Sequence, residues 1–309
     1  MTAALTLGPI AYHWPAETRR DFYARIADEA PVDTVYLGEV ICSKRAPFFE
    51  PDLPDLVERL QRAGKTVVLS SLAEVMLPRE RQATRALCEM DGIEIEINNA
   101  AGLQARAGAP HRVGPFMNAY NEAAIDWLAQ NGATHVCLPH ELPRASLAYA
   151  AAAASQICVG TEFQVFGRAP LAVSARCYHA RAHGRHKDNC QFVCEDDPDG
   201  MPLLTADNTP FLRVNGIQTQ SESYICLARE IPDLVAIGIG HLRLMPQSID
   251  MVAVATAFRQ CLDGVIDGEE AMSRLSLCCG ATALSNGFFH RVAGRMLVTG
   301  RIAASADGR

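Results

Sequence analysis

"PDLPDLVERLQRAGKTVVLSS", residues 51–71, decides the fold. Its first part has helical spacing, starts after Pro54 and stops at Gly64, a residue that ends helices cheaply. "TVVLSS" follows as a short apolar, β-branched run bounded by polar residues, the pattern of a buried strand. A helix delivered directly into such a strand is half of a parallel βαβ unit.

The same unit recurs on both sides. Leu5–Ala11 is apolar, with Gly8 and Pro9 in it, and Pro15–Ala30 has helical spacing. "VDTVYLGEV" (32–40) reads as a buried strand. After residue 71 come a charged helix to about Met90 and "GIEIEIN" (92–98), whose strict alternation marks a strand. "GPFMNAYN" (114–121) reads as another strand, and "EAAIDWLAQNGA" (122–133) as a helix with Ile125 and Leu128 on one face. "ATHVCLPHEL" (133–142) reads as a strand before an Ala-rich helix.

Six strand–helix units or partial units thus precede Gly160. No Gly-rich dinucleotide fingerprint follows the first strand, so the expectation is an α/β, TIM-like (β/α) barrel, complete or irregular. Such a barrel places its functional groups just after the strands. Glu39–Arg45, Asn98–Asn99 and His140–Glu141 occupy those positions. With Arg168, the residues Glu39, His140 and Glu141 read as a salt-bridged rim without a catalytic role.

The pattern changes after Gly160. "TEFQVFGRAPLAVSARC" (161–177) reads as an antiparallel hairpin, "YICLAREIPDLVAIGIG" (224–240) as a restored strand, and "SIDMVAVATAFRQCLDG" (248–264) as a helix with a serine cap. The expected organisation is one domain over 1–309, with a hairpin and cysteine-rich segment at 160–210 and a C-terminal appendage at 265–309.

Composition sets the class. The chain has 309 residues, 49% hydrophobic and 20% charged, which is ample for a core. A formal charge of −7 gives no reason to expect a nucleic-acid partner. No secretory leader or membrane-spanning run is evident, so a cytoplasmic protein is expected, with its 11 cysteines reduced. Cys88, Cys137, Cys158, Cys226 and Cys261 fall in apolar strand or helix contexts and read as packing residues. Cys278–Cys279 is a vicinal pair with no ligand pattern near it.

"CYHARAHGRHKDNCQFVC" (177–194) is different. Three cysteines lie in one polar, loop-rich segment, which is not a packing pattern. Cys190 and Cys194 with Cys177 and one of His179, His183 or His186 would complete a Cys₃His zinc site. An iron–sulfur cluster needs four thiolates around a larger core, for which wide spacing suits. Cys42, just after the second strand beside Lys44 and Arg45, is the candidate fourth. Arg176, next to Cys177, is placed to balance thiolate charge. The residues themselves leave zinc and iron–sulfur both open.

The stretch from Thr161 to Cys194 resembles the signature of the collagenase-like peptidase family: an acidic residue, an FG turn, then S-x-R-C. The Phe166–Gly167 turn, the late cysteine spacing, the early cysteine and the Asn286–Phe288 segment are similar to the ubiquinone-biosynthesis branch of that family. "YLGEVICSKR", "MNAYNEAAIDWL" and "LPHEL" extend the similarity along nearly the whole chain. The resemblance implies an α/β barrel and one 4Fe-4S cluster on Cys42, Cys177, Cys190 and Cys194. It also implies oxygen-independent hydroxylation of the aromatic ring of polyprenylated quinone precursors. The partners it implies are a sister protein, UbiU, in a heterodimer, and a lipid-binding accessory protein, UbiT. Two other readings stand beside it: a zinc-stabilised interaction protein, and a peptidase. No H-E-x-x-H or G-x-S-x-G motif supports proteolysis.

Overall fold

In the computed structural model, residues 3–299 are described. Six βα units run in sequence: β1 (Ala4–Leu7) and α1 (Ala16–Glu29), β2 (Thr34–Leu37) and α2 (Leu53–Arg62), β3 (Thr66–Ser70) and α3 (Pro78–Cys88). Then come β4 (Glu94–Ile97) and α4 (Ala100–Arg106), β5 (His111–Val113) and α5 (Glu122–Gln130), β6 (Ala133–Leu138) and α6 (Arg144–Gln156). After them follow β7 (Gly160–Val173), α7 (Tyr178–Ala182), β8 (Met201–Leu204), β9 (Pro210–Asn215) and β10 (Gln218–Cys226). The described chain ends with α8 (Ile231–Ala236), β11 (His241–Leu244), α9 (Met251–Leu262), α10 (Gly268–Cys279) and β12 (Leu284–Ser285).

Strands β1 to β7 pair in order and in parallel, and β11 pairs in parallel with both β7 and β1. The result is a closed eight-stranded parallel barrel with helices around it, as a TIM-like reading requires. The cysteine-bearing insertion lies between β7 and β11.

Alternation along the strands sorts apolar residues outward and polar residues into the lumen. In "IEIEIN", Ile97 packs towards Gly102 of α4, whose Cβ-less backbone leaves room for it. Glu96 is 1% exposed and faces inward. There Arg243 Nη2 donates to Glu96 Oε1 and to Glu162 Oε2, both at 2.5 Å, and its guanidinium lies 4.0 Å from the Tyr36 ring centroid. Tyr36 and Thr6 hydroxyls donate to Glu162, and Ser70 donates to Glu96 at 2.7 Å. The barrel core is therefore a buried ion-pair layer, with carboxylates and guanidinium paired as burial demands.

Several local expectations are corrected. "GPFMNAYN" is not a strand: the strand is β5 before it, and Pro115–Met117 form a 3₁₀ turn leading to Asn118 in the left-handed region. Residues 161–177 are no hairpin. They form most of the single long strand β7, parallel to β6 and β11 in its first half and antiparallel to β10 in its second. The expected 160–210 segment thus begins with a barrel strand. Residues 224–240 complete β10, then turn through α8. Helix α9 is capped by Asp250, whose carboxylate accepts from Val252 and Ala253 N–H, and not by Ser248. Residues 268–289 are integrated and not an appendage: Leu275 and Phe289 are buried in the main core and β12 pairs with β10. Residues 300–309 of that expected segment lie outside the described residues.

Candidate functional site

The long loop after β2 carries the first cysteine, and it is pinned from both sides. Glu39 Oε1 accepts from Ile41 N–H at 2.8 Å and from Cys42 N–H at 2.9 Å. The Cys42 carbonyl then accepts from Arg45 N–H at 2.9 Å, opening the 3₁₀ turn Ser43–Phe48. Glu39 is therefore a buried brace for the cysteine loop and not a rim residue.

The second half of β7 runs past the barrel rim and delivers Cys177 to the start of α7, where Ala180 N–H donates to its sulfur at 3.4 Å. Beyond α7 the chain doubles back. Gln191 and Phe192 both sit in the left-handed region, at φ 48° and 53°. Non-glycine residues pay for that conformation with strain. Phe192 is held there by Phe48, 4.8 Å away edge to face, and by His13 at 5.4 Å. The reversal brings Cys190 and Cys194 back towards Cys177.

Cys42, Cys177, Cys190 and Cys194 consequently line one cavity, about 340 Å³ counting its open mouth. Two of these residues are separated by 135 positions in the chain, 177 − 42. Arg45 lines the same cavity. It is 1% exposed, its Nη1 donates to the Ala11 carbonyl at 2.8 Å and its Nη2 to Asn215 Oδ1 at 2.9 Å. Gly216 makes this possible, since a Cβ there would meet Arg45 Nη2 at 2.7 Å. Burial pushes the thiols of Cys42, Cys177 and Cys194 up, and Arg45 pulls each part of the way back. Lys44 closes the rim by donating to the Lys187 carbonyl at 2.6 Å.

The donor set, four thiols beside a buried cation, fits a thiolate-held group. The ligand count is that of a four-thiolate cluster and equally of a Cys₄ zinc site. Among the described residues, no group of three or more His, Cys, Asp or Glu side chains is arranged to hold a metal ion. Of the candidate histidines, His179 lines the cavity; its Nε2 is engaged by Asp197 at 2.9 Å, while its buried Nδ1 has no hydrogen-bond partner among the described residues. His183 stacks on His179, with its Nδ1 at 3.0 Å from the His179 carbonyl. His186 lies on the neighbouring basic groove, and Arg176 is exposed there. The buried cation among the cysteines is thus Arg45, not Arg176.

Of the packing cysteines, Cys88, Cys137, Cys226 and Cys261 are buried, whereas Cys158 is exposed at the end of α6 with φ 58°. Cys279 is buried in α10 and Cys278 half-buried. His140 is buried with Nδ1 3.2 Å from Glu141 and its ring against Phe288, away from the cysteines. Arg168 is fully buried, not part of a rim: it pairs with Asp199 and lines a second cavity in the barrel mouth.

Residues 20–297 match the sequence profile of peptidase family U32. The chain belongs to peptidase family U32. Among solved structures, a phospho-2-dehydro-3-deoxyheptonate aldolase from Thermotoga maritima is similar at 12% identity and a TM-score of 0.43, covering 91% of this chain and 71% of the other. An uncharacterized protein from Clostridium thermocellum that binds two copies of 5-methyl-5,6,7,8-tetrahydrofolic acid is similar at 9% identity and a TM-score of 0.43, covering 85% and 95%. Among the described residues of this U32 chain, no helix is long and apolar enough to cross a membrane.

Proposed function

We propose that this U32 chain is the iron–sulfur component of an oxygen-independent hydroxylation system in ubiquinone biosynthesis, in the role of UbiV beside its sister protein UbiU. The observation that carries the reading is the convergence of Cys42 with Cys177, Cys190 and Cys194 on one cavity beside buried Arg45. When bound, a 4Fe-4S cluster supplies one-electron transfer at a potential set by its surroundings.

The chain's own residues prepare the site for such a group. A coordinated thiol is deprotonated, so four ligands add negative charge to a space that burial makes hostile to it. Arg45 offsets part of that charge, and the Ala180 N–H already points at the Cys177 sulfur. Phe192, packed on Phe48, shields one side from water. The polyprenylated precursor needs an apolar carrier surface, the part we assign to a lipid-binding partner such as UbiT.

The family name raises a peptidase reading. Burial holds Cys42, Cys177 and Cys194 as neutral thiols, which is opposite to the depressed thiol of a cysteine-peptidase nucleophile. The test is to co-purify the chain with UbiU without oxygen and supply a polyprenylated phenol. Hydroxylated product that disappears when Cys194 becomes alanine supports the proposal. Product unaffected by that change, or cleavage of a collagen peptide by the same preparation, contradicts it.

A further inference from the structure

Beside the cysteine cavity lies the basic groove, about 680 Å³ counting its open side and built from residues 175–188. Cys177 and Lys187 line both spaces. Lys44 pins the shared wall by donating to the Lys187 and Asp188 carbonyls at 2.6 and 3.1 Å.

The charge of the groove is one-sided. Arg176, Arg181, Arg185 and Lys187 line it with a single carboxylate, Asp188. Between residues 176 and 190, the only ion pair among the described residues joins His179 to Asp197, neither of which lines the groove. Lys187 also feels Glu80, but that carboxylate already accepts from Ser43 and from the Met76 and Leu77 N–H groups. The cluster stands on a chain of formal charge −7, so the excess of cation is local. Cations held together against their own repulsion, without carboxylate partners, attract a negative partner from a distance.

The kind of partner follows from how these cations are held. A pocket for a small anion fixes its donors in advance. Among the described residues, Arg176 and Arg181 hydrogen-bond through their backbones alone. Arg185 makes one side-chain bond, from Nη1 to the Cys190 carbonyl at 3.3 Å. Arg176, Arg181 and His186 are exposed. Tyr178, three residues before Arg181 on α7 and so on its face, is 46% exposed. Long free cations beside an exposed aromatic ring, on an open rim, fit a broad protein face. Nucleic acid, an extended polyanion, would also meet the excess negative charge elsewhere on the chain, whereas a compact acidic face need touch only the groove.

We propose that this groove is the docking face for a small acidic one-electron carrier protein, whose carboxylates meet Arg176, Arg181, Arg185 and Lys187 beside the cysteine cavity. The choice of an electron carrier as occupant rests on the cluster reading above, since Cys177 is the wall that groove and cavity share. Encounters of that kind form small, weak interfaces, and charge steers them.

Isotope-labelled oxidised flavodoxin is the probe, titrated by NMR with the full chain purified without oxygen, and cytochrome c, a basic carrier, is the control. The expected result is saturable binding of flavodoxin at about 10 mM salt, weaker by roughly tenfold or more at about 150 mM. Cytochrome c should not bind. Arg176→Glu and Arg181→Glu, both exposed, should each weaken flavodoxin by roughly tenfold. Arg62→Glu, at the far end of the barrel, should leave it unchanged. Flavodoxin that fails to saturate overturns the proposal, as does cytochrome c binding equally well or full-strength binding to Arg181→Glu. Displacement of flavodoxin by stoichiometric pyrophosphate also overturns it, because the groove would then be a small-anion site. Iron and sulfide in the same samples report on the cluster alone. A cluster without docking overturns this proposal only, and docking without iron overturns the cluster reading while the docking face stands.

Discussion

Two arginines are buried to 1% exposure in this protein, and they keep different company. Arg243 in the barrel core lies between Glu96 and Glu162, both buried, in a layer closed by Tyr36, Thr6 and Ser70. Arg45 rests on a carbonyl and an amide, with the cysteine thiols and the buried Glu39 carboxyl around it but no carboxylate in salt-bridge contact. The first cation has its counter-charge built into the chain. The second has only the Glu39 carboxyl nearby, which burial pushes up, and the cysteine thiols would add counter-charge on binding a metal. A paired buried cation is architecture, whereas one beside four cysteines is what the proposed cluster site calls for.

The largest effect that would break this contrast is in the core. Arg243→Met strands two buried carboxylates and should cost about 3–5 kcal/mol. Urea unfolding checks it, and a loss under about 1 kcal/mol would show that the layer is not the ionised pair described here.

Arg45→Met removes two charge-assisted hydrogen bonds to neutral acceptors, and about 1–3 kcal/mol of stability is expected to go with them. Its more telling consequence is a drop in iron retained during anaerobic purification, which Arg243→Lys should not produce. Equal iron in wild type and Arg45→Met would remove the distinction between the two arginines.

Acid sharpens the comparison further. Burial alone would raise Glu162, but Arg243 outweighs it and brings the carboxyl to about 2. His135, at the other end of the barrel against His241, is lowered to about 4, first by burial and then by Arg112. Both groups are depressed in the folded state, so both favour folding above their unfolded values and lose that contribution as pH falls. The His135 window runs from 6.5 down to about 4 and the Glu162 window from 4.5 to about 2. His135→Gln should flatten the fall in urea midpoint over the upper window while leaving the lower one intact. The smallest effect belongs to an exposed pair: Arg62→Ala, which breaks the bridge to Glu58, should change stability by no more than about 0.5 kcal/mol.

The barrel was legible because each βα unit has its own period, and residues 51–71 already join a 3.6-residue pattern to a buried strand. What the alternation of "GIEIEIN" did not reveal was which side faces in. In an open sheet the glutamates would face water; closure of the barrel buries Glu96 instead, and its partner Arg243 lies 147 residues away. The polar letters in "EFQVF" and "HLRL" carried the same signal, charged residues at lumen positions of apolar strands. Residues 161–177 were misread because a turn-like "FGRAP" was taken to reverse the chain. Gly167 at φ 102° and the bulged pairing with β10 bend β7 without reversing it. Cys177, Cys190 and Cys194 stand out because they share one polar segment, whereas it is the fold that brings Cys42 to the cavity they line. The buried pairing of Arg168 with Asp199 was not legible, since its members lie 31 residues apart and carry no local motif.

The central claim is that a residue from the β2 loop and three from the insertion hold one cluster. Iron and acid-labile sulfide measured on wild type and Cys42→Ser, both purified without oxygen, test it most directly. The account predicts near-equal iron and sulfide in brown wild-type protein and loss of both in Cys42→Ser. Full iron and sulfide in Cys42→Ser, or wild-type protein that is colourless and carries zinc, would contradict it.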